Sequence, residues 1–296
     1  MNLTPFITYL ISEKRSSAHT VEAYRSDLGQ FEAWCARSFE VDDPSEITRP
    51  MVRSWLASLV EEKYSPASVH RKLSSLNAWF RFLSKSGVVA SNPVKGLAKP
   101  KIPGRLPTFV EEKPAMRLYD LNAGKSEFAV IRNHLMVTLF YETGIRLSEL
   151  IELGEKDIDS YLQQIKVTGK RNKVRLVPIS GDLVREIERF RQFKKDGQMG
   201  DDVPFLLVSD RGKKLSRSFV YLTIKKYLSQ VTTLKKRSPH VLRHTFATHL
   251  LNNGADLNVI KEILGHSSLA ATQVYTHNSV EKLKKIHSGL HPRNKK

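Results

Sequence analysis

The sequence predicts a mainly α protein with a small antiparallel β-sheet, arranged as an N-terminal helical domain and a C-terminal α+β domain. Three observations carry that expectation. Apolar residues recur three and four apart through most of the 296 residues. The period stops at a run rich in proline, glycine and basic residues, N-P-V-K-G-L-A-K-P-K-I-P-G-R-L-P, at 92–107. Beyond that run one short segment changes to alternating, β-branched character. The expected divisions are a helical domain at 1–91, a linker at 92–107 and a second domain at 108–296.

The elements follow in order. Residues 3–11 form a first apolar helix. Thr20 precedes Val21, Tyr24, Leu28, Phe31 and Trp34, one stripe of a second helix. Thr48 and Pro50 open a third, with Val52, Trp55, Leu56 and Leu59 on its apolar side. Ser65-Pro66 opens a fourth, carrying Val69, Leu73, Leu76, Phe80 and Leu83, and Gly87 stands where a C-terminal cap belongs. Short connections make these a compact bundle. Arg71, Lys72 and Arg81 lie off the apolar stripe, on a face read either as solvated or as contacting phosphates. In the second domain, 128–141 reads as a buried helix closed by Thr143-Gly144, and 145–153 as another. The stretches 164–168 and 174–179 read as a hairpin whose tip, G-K-R-N-K, is basic and contains the turn formers Gly169 and Asn172. Helical patterns return at 183–193 and 219–228 and continue to the C-terminus.

Composition narrows the function. A formal net charge of +18 exceeds what solubility requires and points to a polyanion, nucleic acid first. The single cysteine, Cys35, excludes an intrachain disulfide framework and a cysteine-rich zinc site. With neither a signal-peptide pattern nor an apolar run of about 20 residues, the chain is expected to be cytoplasmic, without a membrane partner. There is no G-x-x-x-x-G-K-S/T and no acidic cluster able to hold paired divalent ions, so neither an ATP-driven step nor a catalytic metal is expected.

Four stretches carry residues able to do chemistry. Ser238-Pro239 starts a helix in which His240 and Arg243 share a face close to the positive end of the helix dipole, a setting for an anion. His244 on that helix reads as satisfying a buried hydrogen bond. Asp256 caps a helix ending in Leu264-Gly265-His266, with Tyr275 nine residues on; singly, both of those side chains read as structural. Arg146 follows a glycine turn at a helix start, again a place for an anion. The hairpin tip offers Lys170, Arg171 and Lys173, and such tips are usually just solvated.

Together these pieces resemble the tyrosine recombinases, the phage integrase family. The matching stretches are T-G-I-R-L-S-E-L at 143–150, T-G-K-R-N-K-V-R-L-V-P at 168–178, H-V-L-R-H-T-F-A-T-H at 240–249, L-G-H at 264–266 and Q-V-Y-T-H at 273–277. The resemblance implies an N-terminal core-binding, SAM-like domain and a catalytic domain that together clamp DNA. It implies the catalytic set Arg146, Lys170, His240, Arg243, His266 and Tyr275. Tyr275 is then the nucleophile, His240 the general base, Lys170 the general acid, and Arg146, Arg243 and His266 the phosphate ligands. No cofactor is implied. Members commonly have glycine after the hairpin lysine; here it is Arg171, which brings in Lys173 as the alternative acid. Glu149 is placed to orient a side chain of the site.

Size and layout are nearest the Xer group, which implies resolution of chromosome or plasmid dimers. The partners implied are double-stranded DNA with paired inverted half-sites, three further subunits (identical or paralogous) completing a tetramer, and a divisome DNA translocase. The sequence beyond Tyr275 reads as a final amphipathic helix with Val280, Leu283 and Ile286, and the resemblance implies that it docks on a neighbouring subunit. The alternatives are a phage or mobile-element integrase, a type IB topoisomerase, and a non-catalytic architectural DNA-binding protein.

Overall fold

The computed structural model describes residues 1–98, 100–101, 108–121, 124, 126–169, 172–197, 203–265, 290 and 292. The chain divides into two compact units, Met1–Arg105 and Leu106–Lys296. Both are helical, and the second contains a three-stranded antiparallel sheet, as the fold expectation has it.

In the first unit α1 (Thr4–Ser12), α2 (Ala18–Phe39), α3 (Arg49–Glu61) and α4 (Pro66–Lys85) enclose one core. The helix starts are chemical. Ser17 Oγ accepts the Thr20 N–H and Ser65 Oγ the Ser68 N–H, each satisfying a donor that the first turn leaves free. The expected start at Thr20 therefore comes three residues late. Phe31, Val52, Trp55, Leu76 and Phe80 meet in the middle, all essentially inaccessible. Cys35 lies with them, its thiol pushed up to about 11 by burial and so unreactive.

Two expectations for this unit need correction. Lys72 belongs neither to a solvated face nor to a phosphate-contacting one. It is buried, with its ammonium bonded to Asp27 Oδ1 at 3.3 Å and to Gln30, because a buried carboxylate at Asp27 needs cationic partners. Arg71, half-exposed, pairs with the same aspartate, and Arg81 alone of the three is simply exposed. The stretch beginning at Asn92 is also not extended from its start. Asn92 Nδ2 donates to Asn77 on α4 at 2.9 Å, and Val94 and Leu97 are buried in the first unit's core. Proline and basic residues disguised two apolar anchors.

The second unit is built around α6 (Glu127–Thr143), which is buried on nearly every side and packs against α8 (Gly181–Asp196) and α10 (Pro239–Asn252). A helix buried on nearly every side belongs in the centre of its domain, even though this one also buries Arg132, Asn133 and Glu142. Around it lie α5 (Glu112–Met116), α7 (Leu147–Glu152), α9 (Arg217–Val231) and α11 (Leu257–Leu264). Strands β1 (Ile158–Asp159), β2 (Gln164–Thr168) and β3 (Val174–Pro178) pair in that order, with Lys166 opposite Leu176 and Thr168 opposite Val174. Ile165, Val167 and Val177 turn inward, which fixes the register. The expected hairpin is there; β1, too short to show a period, was not foreseen. No helix among the described residues is long and apolar enough to cross a membrane.

Candidate active site

The site grows from two glycine turns. α6 ends on Gly144, which adopts the left-handed conformation at φ +58°. A Cβ there would lie 2.6 Å from Phe246 Cδ1 and 2.7 Å from Leu264 Cδ2, so only glycine lets α10 and α11 close on this turn. The turn delivers Arg146 to the start of α7. α11 likewise ends on Gly265 at φ +64°, where an added Cβ would meet the Arg175 side chain at 3.1 Å.

A helix leaves its last carbonyls without internal partners and concentrates negative potential there. Three of those at the end of α11 are taken by guanidiniums. Arg175 Nε donates to Ile263 O at 2.7 Å, Arg243 Nη2 to Leu264 O at 2.6 Å, and Arg146 Nη2 to Gly265 O at 3.1 Å. Arg243 Nη1 also donates to the Gly144 carbonyl, tying both turns together. Residues far apart in sequence thus converge through backbone geometry.

Glu149 lies among these cations. Its Oε1 accepts from Arg146 Nη1 at 2.7 Å and Arg175 Nη1 at 2.9 Å. Its Oε2 accepts from the Arg146 backbone N–H at 2.8 Å and Arg175 Nη2 at 2.7 Å. Burial alone would raise this carboxyl; hydrogen bonding and charge from Arg175, then Arg146, overcome that and hold it at about 2. The orienting role expected of Glu149 is therefore visible. The open helix N-terminus expected beside Arg146 is not, because Glu149 occupies the backbone N–H. An anion here is left to the guanidiniums.

Arg243 is buried, and burial followed by the charges of Arg146 and Arg175 pulls it down to about 9. It remains protonated at neutral pH, in an excess of positive charge that a bound phosphate relieves. His240 stands one turn earlier on α10, more exposed than Arg243. Partial burial of the ring, then Arg243, Lys236, Arg146 and Arg217, lowers its pKa, so at neutral pH the imidazole is unprotonated and able to accept a proton.

The rest of that motif is structural. His249 is buried, with Nε2 at 2.9 Å from the Val110 carbonyl and Nδ1 at 2.9 Å from the Tyr141 hydroxyl. A carbonyl only accepts, so the ring carries its proton on Nε2 and takes the Tyr141 hydrogen on Nδ1. His244, expected to satisfy a buried hydrogen bond, is half-buried and makes none among the described residues.

Of the expected catalytic set, the structure brings Arg146, His240 and Arg243 together. Lys170, Arg171, His266 and Tyr275 lie outside the described residues, as does the expected tail helix apart from Leu290 and Pro292. Leu290 packs against the second unit's own core, and its carbonyl accepts from Asn253 Nδ2 at 2.9 Å. Gly169, which precedes Lys170, has its N–H bonded to Lys173 O at 2.7 Å, and Asn172 supplies the tip's left-handed residue at φ +60°. Sequence reasoning passed over Arg175. Its one signal was an arginine at an inward-facing position of a strand.

Two guanidiniums converging beside an unprotonated imidazole are what a protein transferring a phosphoryl group needs at the phosphate. Comparisons with known proteins give the class. The description "Phage integrase family" fits residues 109–282, and "Phage integrase, N-terminal SAM-like domain" fits residues 3–87. Tyrosine recombinase XerC of Chlorobaculum parvum is 33% identical over 98% of this chain and 94% of its own length. Tyrosine recombinase XerD of Vibrio cholerae is 36% identical over 97% and 95%, respectively. The solved XerH site-specific recombinase bound to palindromic difH substrate matches with a TM-score of 0.73 at 19% identity, over 95% of this chain and 79% of that one, a likeness of fold. The chain belongs to the phage integrase family, the tyrosine recombinases, which are DNA strand-exchange enzymes.

Proposed function

We propose that this chain recombines duplex DNA at specific sites through a 3′-phosphotyrosyl intermediate, and that it resolves chromosome or plasmid dimers. The observation that carries the chemistry is the convergence of Arg146 and Arg243 on the end of α11 beside a depressed His240. Family membership and full-length similarity to both XerC and XerD proteins support the role.

In this reading Arg146 and Arg243 hold the non-bridging oxygens of the scissile phosphate and stabilise the charge that grows there. His266 adds a hydrogen bond to the same phosphate. The Tyr275 hydroxyl attacks phosphorus. A phenol of pKa about 10 needs its proton removed during attack, and His240 accepts it. The O5′–phosphorus bond breaks as the tyrosyl–phosphorus bond forms, and Lys170 protonates the departing 5′-oxygen. Attack by the 5′-hydroxyl of a second strand reverses the step, so bond energy is conserved and no nucleotide cofactor is consumed.

The test is incubation with nicked duplexes captured from genomic DNA. We expect a detergent-resistant protein–DNA adduct that is lost on Tyr275→Phe; absence of a Tyr275-dependent adduct overturns the reading. The general acid is distinguished by a substrate whose 5′-bridging oxygen is sulfur, a leaving group that needs no proton. Lys170→Ala should be at least about 100-fold slow on the oxygen substrate and near normal on the sulfur one. Lys173→Ala showing that rescue instead would reassign the acid.

The working assembly we propose is a tetramer, of this chain alone or with a paralogue, on two duplexes with paired inverted half-sites. Each subunit donates its last helix to the next, a heterologous arrangement that closes into a ring. Activation by a divisome DNA translocase belongs to the same reading. Deleting the residues after His277 should abolish cooperative assembly on DNA, and unchanged cooperativity counts against the ring.

A further inference from the structure

Arg175 has no place in the chemistry above, yet its guanidinium bonds both oxygens of Glu149 and a carbonyl at the end of α11. It is 4% exposed and so reaches neither DNA nor solvent. We propose that Arg175 is a positioning residue for strand cleavage: it balances the charge of Glu149, leaving the Arg146 guanidinium its full pull on the scissile phosphate, and it locks the hairpin, Arg146 and the end of α11 into one frame. This rests on the reading of Arg146 as a phosphate ligand.

The charge count is the first argument. Glu149 is held ionised and contacts Arg146 directly. With no further cation these two form a neutral pair, and Arg243 alone faces the phosphate. Arg175 forms a two-toothed pair with the same carboxylate, so Arg146, Glu149 and Arg175 together carry one net positive charge. Each Glu149 oxygen receives one hydrogen bond from each arginine, so the carboxylate is saturated and symmetrically shared. Low solvent access strengthens both attractions, so the balance at Glu149 is felt at the neighbouring guanidinium.

The frame is the second argument. Arg175 stands on β3 opposite Val167 of β2, in the hairpin that leads to Lys170. Gly169 lies against Glu149, with a would-be Cβ 3.4 Å from Oε1. Arg175 Nε holds the Ile263 carbonyl, and its side chain packs tightly against Gly265, the residue before His266, with a would-be Cβ 3.1 Å from Arg175 Cδ. One side chain therefore touches the bases of three catalytic segments. Lysine, a single point charge on a flexible stem, can balance the carboxylate but cannot hold both its oxygens and a carbonyl.

The test is single-turnover cleavage of a nicked duplex by the full chain. Variants are Arg175→Met, Arg175→Lys, Glu149→Gln and Arg175→Met/Glu149→Gln, with Arg146→Ala as control. Thermal midpoint and DNA affinity are measured for each. The scissile group is an ordinary phosphate or a methylphosphonate, which bears no ground-state charge. We expect Arg175→Met to slow cleavage of the phosphate about 100-fold while DNA affinity stays within a few-fold. Its defect should shrink to below about tenfold on the methylphosphonate, which asks less of Arg146. Adding Glu149→Gln should recover at least about tenfold on the phosphate, since no carboxylate then needs balancing, and Arg175→Lys should be intermediate. Because Arg175→Met strands a buried carboxylate, the double and lysine variants decide the matter if it fails to fold. Wild-type cleavage by a folded Arg175→Met, or a double variant no faster than the single with equal losses on both substrates, overturns the proposal. Wild-type cleavage by Arg146→Ala would instead remove the reading on which it rests.

Discussion

At the scale of single residues, burial and then positive charge set the protonation of His240. Its ring is lowered first by partial burial and then by Arg243, Lys236, Arg146 and Arg217. If His240 is the base, as proposed, it must be unprotonated, so cleavage should rise with pH through the histidine's own pKa and level off above it. For the free enzyme that acidic limb belongs below 6.5, the value of an unperturbed imidazole. Lys236 is exposed and lies outside the proposed catalytic set, so Lys236→Ala removes one repelling charge and should move the limb upward while the plateau stays the same. A pH series of single-turnover rates, under conditions where kcat/KM is measured, reads this directly; a limb unmoved by Lys236→Ala would assign it to another group. Gly144 makes a sharper structural prediction. Alanine there must hold φ +58° and meet Phe246 and Leu264 below 3 Å, so Gly144→Ala should destabilise the second unit by roughly 2–4 kcal/mol in urea unfolding.

At the scale of elements, the short α11 matters because of how it ends. Its free carbonyls gather Arg146, Arg175 and Arg243 to one place, and Glu149 compensates part of the charge collected there. A folded-state pKa of about 2 against 4.5 for the free carboxyl corresponds to about 3 kcal/mol of stability. The pKa is depressed, so that stability is present above 4.5 and is lost as pH falls through about 2. Glu149→Gln should therefore be less stable than the parent near pH 6, and the gap should close as pH is lowered toward 2, read from urea midpoints at each pH. What was legible in the sequence divides along the same line. Helix starts at Ser65, Thr48 and Asp256 were readable because a cap acts within three residues of itself. Glu149 was readable because it sits three residues from Arg146. Arg175 was not: its partners, Glu149 and Ile263, lie 26 and 88 residues away. Lys72 misled for the same reason, since Asp27, 45 residues earlier, turns a surface-type side chain into a core one. Val94 and Leu97 were lost among prolines because burial of two isolated apolar residues leaves no period to detect.

At the scale of the whole molecule, the chain carries two separate hydrophobic cores, one in each unit. A unit with its own core has the means to fold alone. A fragment of residues 1–105 should accordingly show a single cooperative thermal transition, and so should the remainder, 106–296. The net charge of +18 then makes a quantitative statement about DNA. Each phosphate neutralised by a lysine or arginine releases condensed counterions and adds about 0.9 to the slope of log affinity against log salt. If both units grip the same duplex, each neutralises its own set of DNA phosphates, and the slope for the full chain should approach the sum of the two fragments' slopes. Its affinity should exceed either fragment's by far more than the contacts alone provide, because binding of one unit raises the effective concentration of the other. Titration of a fluorescent duplex between about 50 and 200 mM salt measures all three slopes. A full-chain slope equal to that of one fragment would mean that the other unit adds no phosphate contacts, and the clamp expected of the two domains would have to be abandoned.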